Sequence, residues 1–196
     1  IELLMGLLWP DSSTKKARNS FDTAHSRLRK ALENSFGKQI WRDYLVLKKG
    51  MLTLHYVQID SLLFSDTMGV ARYHLQRDNF WQAEHALWKM DRLWNGEFLA
   101  GYDLDGDLLF QREQLTQLRL EQLVMLSRLL QQRQQQEESV RLLQQGLLLD
   151  PTYDPIIRQL LLLYRQQQNF HATSLLLEKY RTALQNEEYQ PAEIEE

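Results

Sequence analysis

Cysteine is absent from the chain. Without thiols there are no disulfides and no thiolate metal sites, which fits a reducing compartment. No apolar run approaches the roughly 18 residues a membrane span needs. The segment from Ile1 lacks the positive n-region of a signal peptide. The first residue is not Met, so the chain reads as a piece of a longer protein. Catalytic signatures are missing as well: there is no G-x-S-x-G, phosphate loop or dinucleotide fingerprint. His25, His55, His74, His85 and His171 show no metal-ligand spacing such as H-E-x-x-H. Asp103, Asp105 and Asp107 alternate around Gly106, but the glycine and final glutamate of a calcium loop do not line up. An acidic loop is the expectation there. The chain therefore reads as non-enzymatic and without a cofactor. Net charge is only −3, so affinity for a polyanion cannot be spread over the whole chain and has to be local.

The charge that is present is unevenly placed. Residues 15–49 hold Lys15, Lys16, Arg18, Arg27, Arg29, Lys30, Lys38, Arg42, Lys48 and Lys49 against Asp22, Glu33 and Asp43, whereas the last ten residues are acidic. This asymmetry points to a polyanionic partner for one part of the chain. With 196 residues, 43% of them hydrophobic, the chain can bury a sizeable core in one large domain or two small ones.

Ile1 to Leu8 is apolar and rich in helix formers, and Pro10 stops it. Asp11, Ser12 and Ser13 supply capping chemistry for the next element. From Lys15 to Asn34 the apolar positions Ala17, Phe21, Ala24, Leu28 and Leu32 make one stripe at helical spacing, and Gly37 is a stop. Residues 40–56 read as a β-hairpin: Tyr44, Val46, Thr53 and Tyr56 favour strands, and Lys48-Lys49-Gly50 is the turn. From Ile59 on the pattern is helical. Asp60 caps a helix over Leu62, Leu63, Met68, Ala71 and Leu75, which Asp78-Asn79 breaks. The next carries Phe80, Ala83, Ala86, Leu87 and Met90 and ends at Asn95-Gly96. Residues 95–107 read as a loop, followed by helices over roughly 108–133, 136–149, 153–168 and 170–187. The Gln runs 131–136 and 166–168 read as solvated helix ends. Trp81, Trp88 and Trp94 read as core, with a Trp-lined peptide groove as the alternative. Short-spaced helix pairs joined by Leu149-Asp150-Pro151 suggest a degenerate tetratricopeptide-like array, in which each pair buries its apolar face only by stacking on the next. Ala83, Ala86 and Ala172 are the small residues available for close packing.

An apolar helix, a tight turn, a long basic helix and a hairpin follow the order of a winged helix-turn-helix, whose second helix enters the major groove. With the stripe facing a core, the opposite face shows Lys15, Asn19, Thr23, Ser26 and Lys30. Lys16 and Arg27 flank it on one side, Arg29 on the other. Lys48 and Lys49 would lie at the wing tip. Lysine and arginine there neutralise phosphates, and Asn19 is placed to read a base edge. The plain alternative is a basic, solvated surface helix. Asp22 on that face argues for it, because a carboxylate repels phosphate.

Leu7-Leu8-Trp9-Pro10-Asp11, Ala17-Arg18-Asn19 and Ser26-Arg27-Leu28-Arg29-Lys30-Ala31-Leu32 resemble the end of the winged-helix domain in bacterial antibiotic regulatory proteins. Val57-Gln58-Ile59-Asp60 through Phe64 is similar to the opening of the bacterial transcriptional activator domain. Ala83…Ala86-Leu87, Leu93-Trp94-Asn95-Gly96-Glu97-Phe98-Leu99, Leu149-Asp150-Pro151 and Tyr180…Leu184 resemble its later landmarks in order. The departures are the missing sheet and first helix of the winged fold before Ile1, Asp22 itself, and His171-Ala172-Thr173 in place of the usual Gly-Arg opening. The resemblance implies a mainly α fold: residues 1–58 as the incomplete C-terminal portion of a winged helix-turn-helix, 59–190 as a tetratricopeptide-like α-α superhelix, and 191–196 as an acidic tail. It implies a bacterial cytoplasmic transcriptional regulator whose partners are duplex DNA and RNA polymerase or another protein, with a homodimer as a further candidate. Lys15, Lys16, Arg18, Asn19, Thr23, Ser26, Arg27, Arg29, Lys30, Lys48 and Lys49 are the expected DNA contacts. The alternative is a non-catalytic interaction scaffold whose winged-helix remnant binds no DNA. Leu3, Leu4, Leu7 and Leu8 are expected to be exposed unless the helical domain or a second copy covers them.

Overall fold

The computed structural model describes residues 1–37 and 41–188. Lys38 of the basic segment, Ile40 at the start of the expected hairpin, and the acidic tail lie outside the described residues. The chain is mainly helical and carries one small antiparallel hairpin ahead of a run of packed helices. It divides into two units between Ile59 and Asp60.

In the first unit, α1 (Glu2–Leu8) leads through a turn at Pro10 to α2 (Thr14–Phe36), a single helical turn α3 (Trp41–Tyr44), β1 (Leu45–Lys48) and β2 (Met51–Leu54). Met5 of α1 packs on Ala17 and Phe21 of α2, with Ile1, Leu4, Trp9 and Leu52 around them. The stripe of α2 is only half used. Ala17 and Phe21 are each 4% exposed, whereas Leu28 is 44% exposed and Ala24 is exposed too. Length explains this: seven residues of α1 reach about 10 Å, against about 35 Å for α2. Leu3, Leu7 and Leu8 remain exposed, and Met5 is the residue α1 buries. The hairpin is shorter than residues 40–56. It pairs Leu45 with Leu54 through Lys48 with Met51, and Trp41–Tyr44 is helical instead of extended. The turn residues Lys49 and Gly50 both have positive φ (51° and 78°). That is the twist-compatible two-residue turn favoured between antiparallel strands.

The second unit holds α4 (Asp60–Leu75), α5 (Phe80–Leu93), α6 (Gly106–Gln132), α7 (Gln136–Leu149), α8 (Asp154–Gln166) and α9 (Phe170–Glu188). Each helix packs on the next, and α6 also touches α4 and α8. One core layer joins Phe64, Met68, Ala71, Leu87, Met90 and Leu126. A second joins Leu120, Leu143, Ile156, Leu160 and Leu163. Two expected core positions face outward: Leu62 is 57% and Phe80 42% exposed. The helical phase set by Phe64, Met68 and Ala71 turns Leu62 away. Trp81 is also 65% exposed, stacked on His85 at 5.8 Å, while Trp88 and Trp94 pack on the core as expected.

Three tight turns repeat one geometry. Asp78, Gln134 and Gln168 take positive φ (56°, 62° and 54°). The next residue's N–H reaches back to the carbonyl five before it, at 3.0 Å for Asn79 to His74, 2.9 Å for Gln135 to Leu130 and 2.8 Å for Asn169 to Tyr164. This is the helix-ending motif that normally uses glycine.

Candidate functional site

The sequence-derived contact residues lie in the first unit. Burial of Ala17 and Phe21 fixes the rotation of α2. At about 100° per residue, Lys15, Ser26, Asn19, Lys30, Thr23, Lys16 and Arg27 then fall within an arc of about 120° on the far side. All are exposed except the half-buried Ser26. Among the described residues, Lys15, Lys16, Arg27 and Lys30 form no ion pair. The cations at the edge of this arc are paired. Arg18 Nε lies 3.4 Å from Asp22, its guanidinium 5.9 Å from the Phe21 ring, and Arg29 lies 3.9 Å from Glu33. Asp22 therefore has its own cation beside it. Thr23 donates its hydroxyl to the Asn19 carbonyl at 2.8 Å, one turn back. Trp9, Asn19, Ser20, Thr23 and Arg27 line a shallow groove beside the turn between α1 and α2. Lys48 and Lys49 are exposed at the hairpin tip, and the Ile1 nitrogen lies 2.7 Å from the Gly50 carbonyl, so the tip sits by the start of α1. This surface can hold a polyanion. No three His, Asp or Glu side chains among the described residues are arranged to hold a metal ion.

Sequence reasoning missed two polar clusters in the second unit. Arg119 is 5% exposed. Its Nη1 donates to Asp91 at 2.8 Å and to Gln122 at 2.6 Å, and Nη2 reaches Gln145 at 3.3 Å. Burial pushes its pKa down from the ordinary value, and the hydrogen bond and charge of Asp91 oppose that. Gln122 in turn donates to the Leu87 carbonyl at 3.0 Å, so α5, α6 and α7 are joined. Further along, Ser127 and Ser139 meet at 2.8 Å, Ser127 donates to Gln159 at 2.9 Å, and Gln131 donates to Ser127 at 3.0 Å. Gln131 also donates to Ser139 of α7 at 3.2 Å, so it is a partly buried link between helices and not a solvated end. No spacing rule marks these residues, because polar positions on a helix read as surface until neighbours on both sides enclose them. Both clusters are structural: they pair most of the polar atoms inside a packed array, and Arg119 Nε and Gln159 Nε2 are left without a hydrogen-bond partner among the described residues.

No helix among the described residues is long and apolar enough to cross a membrane. Among curated proteins, none matches the chain. Residues 59–192 match the bacterial transcriptional activator domain. That match starts one residue before the second unit and spans more than half of the chain, so the chain belongs to the bacterial transcriptional activator domain family, a family of regulatory domains.

Proposed function

We propose that this chain is part of a bacterial DNA-binding transcriptional regulator acting in the cytoplasm. The open face of α2 and the hairpin tip contact promoter DNA. The helical unit is a tetratricopeptide-like array that carries regulation by engaging RNA polymerase, another protein or a second copy. The carrying observation is the arc of α2: Lys15, Lys16, Arg27 and Lys30 are exposed cations without ion pairs among the described residues, interleaved with Asn19 and Thr23. Unpaired cations on one helix face supply the phosphate contacts, and the short polar side chains between them supply base contacts. The array reading is supported by the matching turns at Gln134 and Gln168, 34 residues apart, the period of tetratricopeptide units.

The test is binding of a labelled pool of genomic duplexes to the full-length protein at two salt concentrations, beside a Lys15→Ala, Arg27→Ala, Lys30→Ala variant. Binding falls with salt by about 0.9 log units per phosphate contact per log unit of salt, so the variant binds more weakly with a slope shallower by about 2–3. A second reading is a non-catalytic scaffold, favoured by the family match beginning at residue 59, beyond the basic helix. A folded full-length protein that binds no member of the pool selects the scaffold.

A further inference from the structure

The helical unit contains a cavity of about 260 Å³ that the proposed DNA contact does not use. It lies where the first turn of α4, the C-terminal end of α5 and the loop after α5 meet. Phe64 and Leu115, 3% and 4% exposed, form its floor. Trp94 and Phe98 form its walls, with the Trp94 ring 5.5 Å from that of Phe64 at an angle of 48°. The loop wall is fixed before anything binds. Arg112 donates to the Phe98 carbonyl at 2.9 Å, to Leu99 at 2.7 Å and to Tyr102 at 3.0 Å, so one guanidinium holds three loop carbonyls. The volume lies just under the roughly 300–1,000 Å³ of pockets for drug-sized ligands, which leaves room for a single-ring molecule.

The charged side chains that line the cavity are both acidic, while two guanidiniums stand just behind the lining, Arg112 on the loop carbonyls and Arg119 at 5.6 Å from the Trp94 ring. Asp60 and Glu97 stand on the rim, and no Lys, Arg or His lines the cavity. Neither carboxylate is in an ion pair among the described residues. Asp60 accepts from the Ser61 N–H at 2.8 Å and so offsets the positive start of α4. The last carbonyls of α5 add partial negative charge from the other side. Aromatic faces and carboxylates around a half-open hollow attract cations.

We propose that this cavity binds a small organic cation, an arylalkylamine whose ring lies against Phe64, Trp94 and Phe98 and whose ammonium group meets Asp60 and Glu97. Such a site gives the chain a small-molecule input that is independent of the DNA reading.

The test is isothermal titration of the full chain with phenethylamine, with 2-phenylethanol as the neutral analogue and phenylacetate as the anionic one. Phenethylamine binds one-to-one, the alcohol binds more weakly and the acid does not bind. Asp60→Asn with Glu97→Gln, in which the asparagine still accepts from Ser61, weakens the amine about tenfold, as expected for lost charged contacts. Failure of phenethylamine to saturate at millimolar concentration overturns the proposal. So does acid binding equal to amine binding, or unchanged amine affinity in a folded double variant. Should that variant not fold, the amine, alcohol and acid compared on the unaltered chain still decide.

Discussion

Arg119 keeps a charge inside the array only because Asp91, Gln122 and Gln145 surround its guanidinium. Removing one side of a buried ion pair costs more than the pair contributes, because the other charge is stranded. Asp91→Ala is therefore expected to destabilise the second unit by about 2–3 kcal/mol, below the full buried-pair figure because Asp91 is itself 24% exposed. Arg119→Met costs less, since water can reach the Asp91 left behind. Urea unfolding of both variants checks the order, and the reverse order would show that Arg119 contributes mainly through its packing. Gly146 illustrates a second kind of dependence. A Cβ there would collide with the Ile156 side chain, which is fully buried and has little room to move. Gly146→Val should cost about 1–3 kcal/mol by overpacking. Valine and glycine differ by only a few tenths of a kcal/mol in helix propensity, so that gain offsets little of it. Neither residue could be read from the chain. A lone Arg among polar neighbours on α6 has the pattern of a surface residue, and Gly146 in a helical run has the pattern of a tolerated flaw.

At the scale of elements, the helix boundaries were largely legible, because helical spacing and breakers at Pro10, Asp78-Asn79 and Asp150-Pro151 are local signals. The turns hold a liability that glycine would remove. A side chain in the left-handed region costs roughly 1–2 kcal/mol, and glycine gives back part of that through its greater freedom in the unfolded chain. Gln134→Gly is expected to stabilise the chain by about 0.5–1 kcal/mol, raising the thermal midpoint; no rise would mean that the exposed Gln134 side chain contributes contacts of its own. The stripe of α2 was legible too, but not how much of it is used. Sequence marks a face as apolar; the length of the element packed against that face decides which positions are buried. Hence Ala17 and Phe21 are core, and Leu28 is not.

At the scale of the molecule, the two units rest on cores of different size. The buried side chains joined in the first unit's core are Met5, Ala17 and Phe21, whereas the second unit has two extended layers. Small cores leave little margin. Phe21→Ala removes an aromatic side chain from the smaller core at a cost of about 3–5 kcal/mol. Amide exchange is expected to rise throughout α1 and α2 while α6 and α8 stay protected; a parallel loss in α6 would show the two units to be one cooperative system. The order of elements, the uneven placement of charge, the absence of thiol chemistry and the family resemblance were determined by the sequence itself, because each is a property of neighbours along the chain. Which cations on α2 are paired, that Gln131 and Arg119 are enclosed, that Trp81 is outside, and that Asp60, Trp94 and Glu97 surround one cavity were decided by tertiary structure alone. Those facts join residues distant in sequence or set by the rotation of a helix about its axis, and no local rule carries that information.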